Sequence, residues 1–272
     1  GSVHYTSRAT PGTVRLATYG TVVFLPRGVP GLELGVARFF HVPYRANEPG
    51  ADFWKKPFRV VFLKNEFAQG DSSGVDNQLA SVFFRWVLPH SGFEFYGERG
   101  YEDQFYDTRD LILRPDHERE YMLGLQKVMN RRATSFDVFK AEIINYQYPS
   151  GTVYIHALLT QGHTNRGQLL GAPVGVESGA ASTISWTRYQ PTQRTTFTFK
   201  RIVRGEEGEY LTTGIVVPRN SDVIIAGGME RMRYGKRIDI GAKIEAMQDY
   251  NRDFLRDVPN LNLQLTARLR LP

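Results

Sequence analysis

Residues 261–271 read LNLQLTARLRL, in which apolar and polar residues alternate at every position. The apolar positions are Leu261, Leu263, Leu265, Ala267, Leu269 and Leu271, and the polar positions are Asn262, Gln264, Thr266, Arg268 and Arg270. Successive side chains of a β-strand point to opposite faces, whereas a helix would mix the two sets. The stretch therefore predicts one strand with an apolar face and a polar face.

Other parts of the chain have the same extended character. Two-faced stretches recur at residues 32–36, 80–88, 194–200 and 237–246, and extended stretches with mixed faces lie at residues 120–129 and 136–147. Turn-rich stretches lie at residues 26–31, 47–50, 70–74, 97–116, 162–179 and 204–208, with one short helix expected at residues 108–113. With 17 Phe, 14 Tyr and 26 Gly, the composition favours strands and turns. Residues 1–272 are predicted to form a single all-β domain.

Two architectures use strands with one apolar face. In a soluble β-sandwich the apolar face packs on a second sheet, whereas in a transmembrane antiparallel up-and-down β-barrel it contacts lipid and the polar face lines the lumen. The length of residues 261–271 matches the roughly 9 to 11 residues that a tilted strand needs to cross the membrane. Strands of soluble sheets are usually about 5 to 6 residues long. The barrel is therefore favoured, with the sandwich as the alternative.

Composition excludes several classes of function. The chain has no cysteine, which excludes a disulfide scaffold, a thiolate metal site and a cysteine nucleophile. The net charge of +6 comes from 34 basic and 28 acidic residues, which are scattered without a clustered basic stripe, so a nucleic-acid partner is not expected. The longest apolar stretch, residues 223–229, is far below the ~18 residues of a membrane helix.

Catalytic and metal-binding motifs are weak. Residues 70–74, GDSSG, have the form of a nucleophile elbow, but a strand follows where an elbow needs a helix. The six histidines are isolated, and no cofactor or metal is expected. Glu94 and Glu98 flank Tyr96 on one face of a predicted strand, but positions four apart are roughly 13 Å apart. Because glycosidases place their carboxyl groups ~5 to 9.5 Å apart, this pair is not expected to be catalytic.

The alternation of acids with an aromatic ring suits a polar ligand better than it suits catalysis. Aromatic rings cover the C–H faces of sugars, and carboxylates accept hydrogen bonds from hydroxyl groups. The alternative interpretation is a network of charges in the lumen, in which the carboxylates pair with arginines.

A resemblance to a known family rests on residues 92–128, GFEFYGERGYEDQFYDTRDLILRPDHEREYMLGLQKV. It is supported by residues 77–81, NQLAS, which run into Arg85 and Trp86, by residues 139–147, FKAEIINYQ, and by the loop at residues 162–175, GHTNRGQLLGAPVG. In order and spacing these stretches resemble the Wzi family of capsule-assembly outer-membrane proteins. The resemblance covers roughly residues 77–201.

This resemblance implies an outer-membrane barrel that acts as a lectin, attaching capsular or other exopolysaccharide to the bacterial surface without catalysing a reaction. Its expected partners are outer-membrane lipid and surface polysaccharide, with a monomer favoured. Members of the family are longer, so an incomplete barrel that lacks N-terminal strands is expected here. No binding motif of the family carries over, and local chemistry alone selects the candidate polysaccharide-binding residues, which are Glu94, Tyr96, Glu98, Asp103, Asp107, Arg109, Asp110, Asn165 and Arg166.

A different class of function remains open. The same lumen charges would suit a passive pore or a structural subunit of an envelope assembly. A secreted, soluble sandwich lectin is the third possibility.

Overall fold

The computed structural model describes residues 14–44, 77–102, 119–132, 134–146, 164–165, 168–169, 179–204, 222–252 and 255–269. These residues form thirteen strands, which are β1 (Val14–Phe24), β2 (Leu32–Tyr44), β3 (Asn77–Leu88), β4 (Phe93–Glu102), β5 (Arg119–Arg132), β6 (Ser135–Asn145), β7 (Thr164–Asn165), β8 (Gln168–Leu169), β9 (Gly179–Gln190), β10 (Gln193–Arg204), β11 (Asp222–Arg233), β12 (Ile238–Arg252) and β13 (Arg256–Leu269). The expected all-β fold is confirmed.

Eleven of the strands form one antiparallel sheet in chain order, and the short strands β7 and β8 pair with each other. Each strand of the large sheet contacts only the strands that are hydrogen-bonded to it. Over the described ranges, β1 and β13 do not pair, and no second sheet packs face to face against this one. The sheet is therefore a single open layer in an up-and-down arrangement.

The connections differ in length at the two ends of the sheet. Short turns join β1 to β2, β3 to β4, β5 to β6, β9 to β10 and β11 to β12, and we call this the short-turn end. At the opposite end, long segments such as residues 45–76 and 205–221 connect successive strands, while β12 and β13 are joined by residues 253–255. No helix in the described ranges has the length and apolar character that crossing a membrane requires.

The β1–β2 turn shows why glycine is needed at this end. Gly31 has a φ of +77°, which lies in the left-handed region. Its carbonyl accepts a hydrogen bond of 2.9 Å from the Val87 N–H, and a Cβ at this position would overlap the Val87 carbonyl group. The glycine therefore allows the β1–β2 turn to lie against β3.

The two faces of the sheet have inverted burial. One face, here called the apolar face, leaves large hydrophobic side chains uncovered, with Leu263 at 71% and Leu265 at 88% exposure. The opposite face, here called the polar face, holds buried carboxylates, with Asp239 at 4% and Glu245 at 8% exposure. Because water-soluble folds bury hydrophobic groups and expose charges, this distribution is the reverse of the usual one.

Two aromatic side chains of the polar face lie flat along the sheet, each over a glycine of the neighbouring strand. The Phe83 ring of β3 lies over Gly35 of β2, and the Tyr96 ring of β4 lies over Gly124 of β5. In both pairs a Cβ on the glycine would overlap the ring of the neighbouring strand. The glycines therefore create the room in which neighbouring side chains pack.

Several sequence expectations need correction. The stretch 97–116 was predicted to be turn-rich, but β4 continues through Gly97 and Gly100 to Glu102. A strand is possible there because the Phe84 and Leu123 side chains pack at Gly97, while Glu120 covers Gly100. The alternation did not predict β1, β9 or β11. The predicted helix at residues 108–113 and the elbow at residues 70–74 lie outside the described residues.

Candidate functional site

Glu94, Tyr96 and Glu98 project from β4 onto the polar face, as their alternation predicts. Phe93 and Phe95 project from the same strand onto the apolar face, where Phe95 is 37% exposed. The three polar side chains therefore form one row along β4. This row is the centre of the candidate site.

Tyr96 is held in place from two directions. Gly124 leaves space for its ring on β5, and its hydroxyl donates a hydrogen bond of 2.7 Å to Glu142 Oε2 on β6. Lys140 Nζ lies 3.0 Å from the same carboxylate oxygen and 5.6 Å from the centre of the ring. Tyr96, Lys140 and Glu142 therefore form a fixed aromatic and charged group that spans three strands.

Glu94 is already paired inside the protein. Its Oε1 lies 2.7 Å from Arg85 Nε, and Arg85 Nη1 lies 3.4 Å from Glu33 Oε1. Arg85 thus bridges carboxylates on β2 and β4. At Glu94 this is the arrangement that the alternative interpretation expected, a charge network with an arginine partner.

Glu98 occupies a different environment from Glu94. It is exposed, and it lies opposite Met122 of β5. Glu120, on the same face of β5, folds over Gly100. Two carboxylates therefore lie near the end of the β4–β5 pair that carries the long connection, where hydroxyl groups of a ligand could donate hydrogen bonds to them.

A second group of charges lies on β10, β11 and β12 of the polar face. Glu245 lies 3.2 Å from both Lys200 Nζ and Lys243 Nζ. Arg194 forms an ion pair with Glu230. The group around Tyr96 differs from these ion pairs in that a tyrosine hydroxyl also donates a hydrogen bond to its carboxylate.

The other predicted site residues cannot be placed beside this group. Asp103, Asp107, Arg109, Asp110 and Arg166 lie outside the described residues. Asn165 pairs with Gln168 in the two-stranded sheet. Among the candidates that lie in the described residues, the structure therefore brings together Glu94, Tyr96 and Glu98.

Sequence reasoning missed three residues that complete this group, which are Arg85, Lys140 and Glu142. Arg85 lies on β3, which pairs with β4, and Lys140 and Glu142 lie on β6, which is two strands away from β4. No spacing along the sequence therefore connects these residues with Tyr96. A usable signal was present, since consecutive strands of an up-and-down sheet pair with each other. Aligning residues 120–129 with residues 136–147 as a hairpin would have brought Glu142 level with Gly124.

No protein-family model, curated protein or solved structure matches this chain. The resemblance to the Wzi family therefore stays an expectation, and the chemistry of the polar face carries the functional proposal.

Proposed function

We propose that this chain forms the wall of a bacterial outer-membrane β-barrel, which binds surface polysaccharide through its polar face without catalysing a reaction. The observation that carries the proposal is the inverted burial of the sheet, with leucines exposed on one face and carboxylates buried on the other. In this proposal lipid covers the apolar face, and the polar face lines a water-filled lumen.

The extent of the apolar face supports a lipid environment. Soluble monomers rarely expose a continuous apolar patch larger than a few hundred Å². Here exposed hydrophobic side chains recur on strands from β2 to β13, including Val36, Phe84, Ile184 and Leu265. Burying one such side chain contributes about 1.5–3 kcal/mol relative to leaving it in water. Contact with lipid would remove this cost along the whole sheet.

The lengths of the connections support an assignment of the periplasmic and extracellular ends of the sheet. Outer-membrane barrels have short turns on the periplasmic side and longer loops on the extracellular side. We infer that the short-turn end faces the periplasm. Because unpaired backbone groups cost several kcal/mol each in hydrocarbon, the free edges of β1 and β13 require pairing, either with each other or with further strands.

Polysaccharide binding is proposed from the group around Tyr96. Its half-buried ring offers a surface for the C–H face of a sugar, and Glu98 offers an exposed acceptor for hydroxyl groups. Since Glu142 and Lys140 hold the tyrosine in one orientation, a sugar would not have to order it. The resemblance to a capsule-assembly family adds the expectation that the ligand is a capsular or other exopolysaccharide.

Retention of purified capsular polysaccharide by the immobilised full chain tests this function. We expect Tyr96→Ala to weaken retention about tenfold, equivalent to about 1.4 kcal/mol, while Tyr96→Phe keeps the ring and most of the binding. Tyr121→Ala is the matched control, because Tyr121 lies on the apolar face of β5. Equal retention by the Tyr96→Ala and Tyr121→Ala proteins would exclude this site.

A passive pore is the second candidate, favoured by the ion pairs that Glu245 forms with Lys200 and Lys243. A passive pore would conduct small ions equally with and without polysaccharide, whereas polysaccharide bound in the lumen of a lectin would reduce the conductance. Single-channel conductance in planar bilayers separates the two candidates.

A further inference from the structure

A basic patch lies on the apolar face of β9, β10 and β11, near the short-turn end. Two adjacent hydrogen-bonded rows supply it, Arg188 with Thr195 and Arg231 in one row, and Gln190 with Gln193 and Arg233 in the other. Arg188 lies far in sequence from Arg231 and Arg233. Strand pairing brings them together on the folded surface.

The patch borders the hydrophobic part of this face. Trp186, Phe197 and Met229 form the next row toward the middle of the sheet. The Trp186 and Phe197 rings stack with 5.6 Å between their centres and 14° between their planes. A stacked aromatic pair next to arginines is typical of the boundary between lipid tails and headgroups.

The patch carries an excess of positive charge. Asp137, which is fully buried, pairs with Arg188 at 3.0 Å and with Arg131 at 2.7 Å. Within the described ranges, no carboxylate pairs with Arg231 or Arg233. Arg231 instead donates a hydrogen bond of 2.6 Å to Gln193 Oε1. Among the described residues, the exposed guanidinium groups of Arg231 and Arg233 therefore have no counter-charge.

We propose that this patch binds the phosphate of an anionic phospholipid, whose acyl chains lie against the aromatic row. The inference rests on the proposed membrane location. Neighbouring strands are about 4.8 Å apart, so Arg188 and Arg231 lie about 10 Å apart and flank Thr195. Both guanidinium groups and the threonine hydroxyl can then donate hydrogen bonds to one phosphate.

The ring contact of Arg188 adds to the fit. Its guanidinium lies 4.8 Å from the centre of the Trp186 ring, and its ion pair with Asp137 fixes it from the other side. The side chain is thus ordered before any lipid binds, which lowers the entropic cost of binding. An anionic headgroup is preferred over a zwitterionic one because the patch has a net positive charge.

Trp186 supplies a local probe for the test. The full chain is reconstituted in phosphatidylcholine vesicles, with Trp54→Phe and Trp86→Phe so that only Trp186 fluoresces. Quenching by brominated phosphatidylglycerol is compared with quenching by brominated phosphatidylcholine. We expect phosphatidylglycerol to associate about five to ten times more strongly at Trp186. A second protein that keeps only Trp86, on β3 of the same face, should show a ratio of about one.

Two double variants identify the residues responsible. Arg231→Gln with Arg233→Gln should lower the ratio at Trp186 to the value at Trp86. Lys236→Gln with Arg237→Gln removes the same charge from the neighbouring β11–β12 turn and should leave the ratio at Trp186 unchanged.

The inference is wrong if Trp186 shows no preference, if the preference survives loss of Arg231 and Arg233, or if the turn variant lowers it equally. In any of these cases, quenching of tryptophan fluorescence by both brominated lipids would still agree with the proposed membrane location of the sheet. Absence of quenching at both tryptophans would overturn the membrane proposal and this inference together.

Discussion

Placing an arginine on the apolar face distinguishes a lipid environment from water. Ile244 projects from β12 onto this face, where it is 48% exposed, and its neighbours in the row are Met229 and Leu263. In lipid, an arginine near the bilayer midplane costs about 2–4 kcal/mol. In water, a substitution at an exposed surface position changes stability by less than about 0.5 kcal/mol.

We therefore expect Ile244→Arg to lower the free energy of unfolding by about 2–4 kcal/mol. This corresponds to a roughly 30- to 800-fold change in the folding equilibrium. Gln248→Arg is the matched control, because Gln248 lies on the same face of the same strand, about 13 Å further along. The row of paired residues that contains Gln248 also contains the polar residues Ser182 and Arg201, so we expect it to lie near the membrane interface. An arginine near the interface costs only about 0–1 kcal/mol.

Reversible guanidinium unfolding in phosphatidylcholine vesicles, followed by tryptophan fluorescence, measures both variants. Coincident unfolding and refolding curves are needed for the comparison of free energies. If Ile244→Arg and Gln248→Arg both change stability by less than about 0.5 kcal/mol, the apolar face is not in lipid. The inverted burial would then need a protein partner as its explanation.

Two further predictions concern glycines and are checked by the same unfolding measurement. Gly124→Ala should lower the free energy of unfolding by about 1–3 kcal/mol, because the new Cβ displaces the Tyr96 ring and its hydrogen bond. Gly227→Ala, whose Cβ would have no atom within 4 Å, should be neutral or slightly stabilising. Gly31→Ala should cost about 1–2 kcal/mol because its φ is +77°, while Gly28→Ala in the same turn, where the Cβ meets nothing, should not. Equal midpoints within either pair would contradict the packing described for it.

The fold was predictable where side-chain size and polarity change together. The leucines of β13 and the isoleucines of β12 alternate with polar residues, so their faces follow from the sequence. The strand β9 was missed because its apolar face includes Ala180 and Ser182, which give little contrast with the polar face. In β11, Gly227 and Gly228 interrupt the pattern with residues that also indicate turns.

The candidate site was predictable only within one strand. Alternation places Glu94, Tyr96 and Glu98 on one face, since this depends on the backbone of β4 alone. Their partners depend on register, which local sequence does not determine. The basic patch depends on register in the same way, because its three arginines come from two strands that are both paired with β10.

Each strand of the large sheet contacts only the strands beside it in chain order, and this has an evolutionary consequence. Duplication or deletion of a hairpin would leave every other strand pair as it was, so the number of strands in the sheet could change in steps of two. Proteins with sheets of different width could then descend from one ancestor. Selection could adjust that width by adding or removing hairpins rather than by redesigning a core.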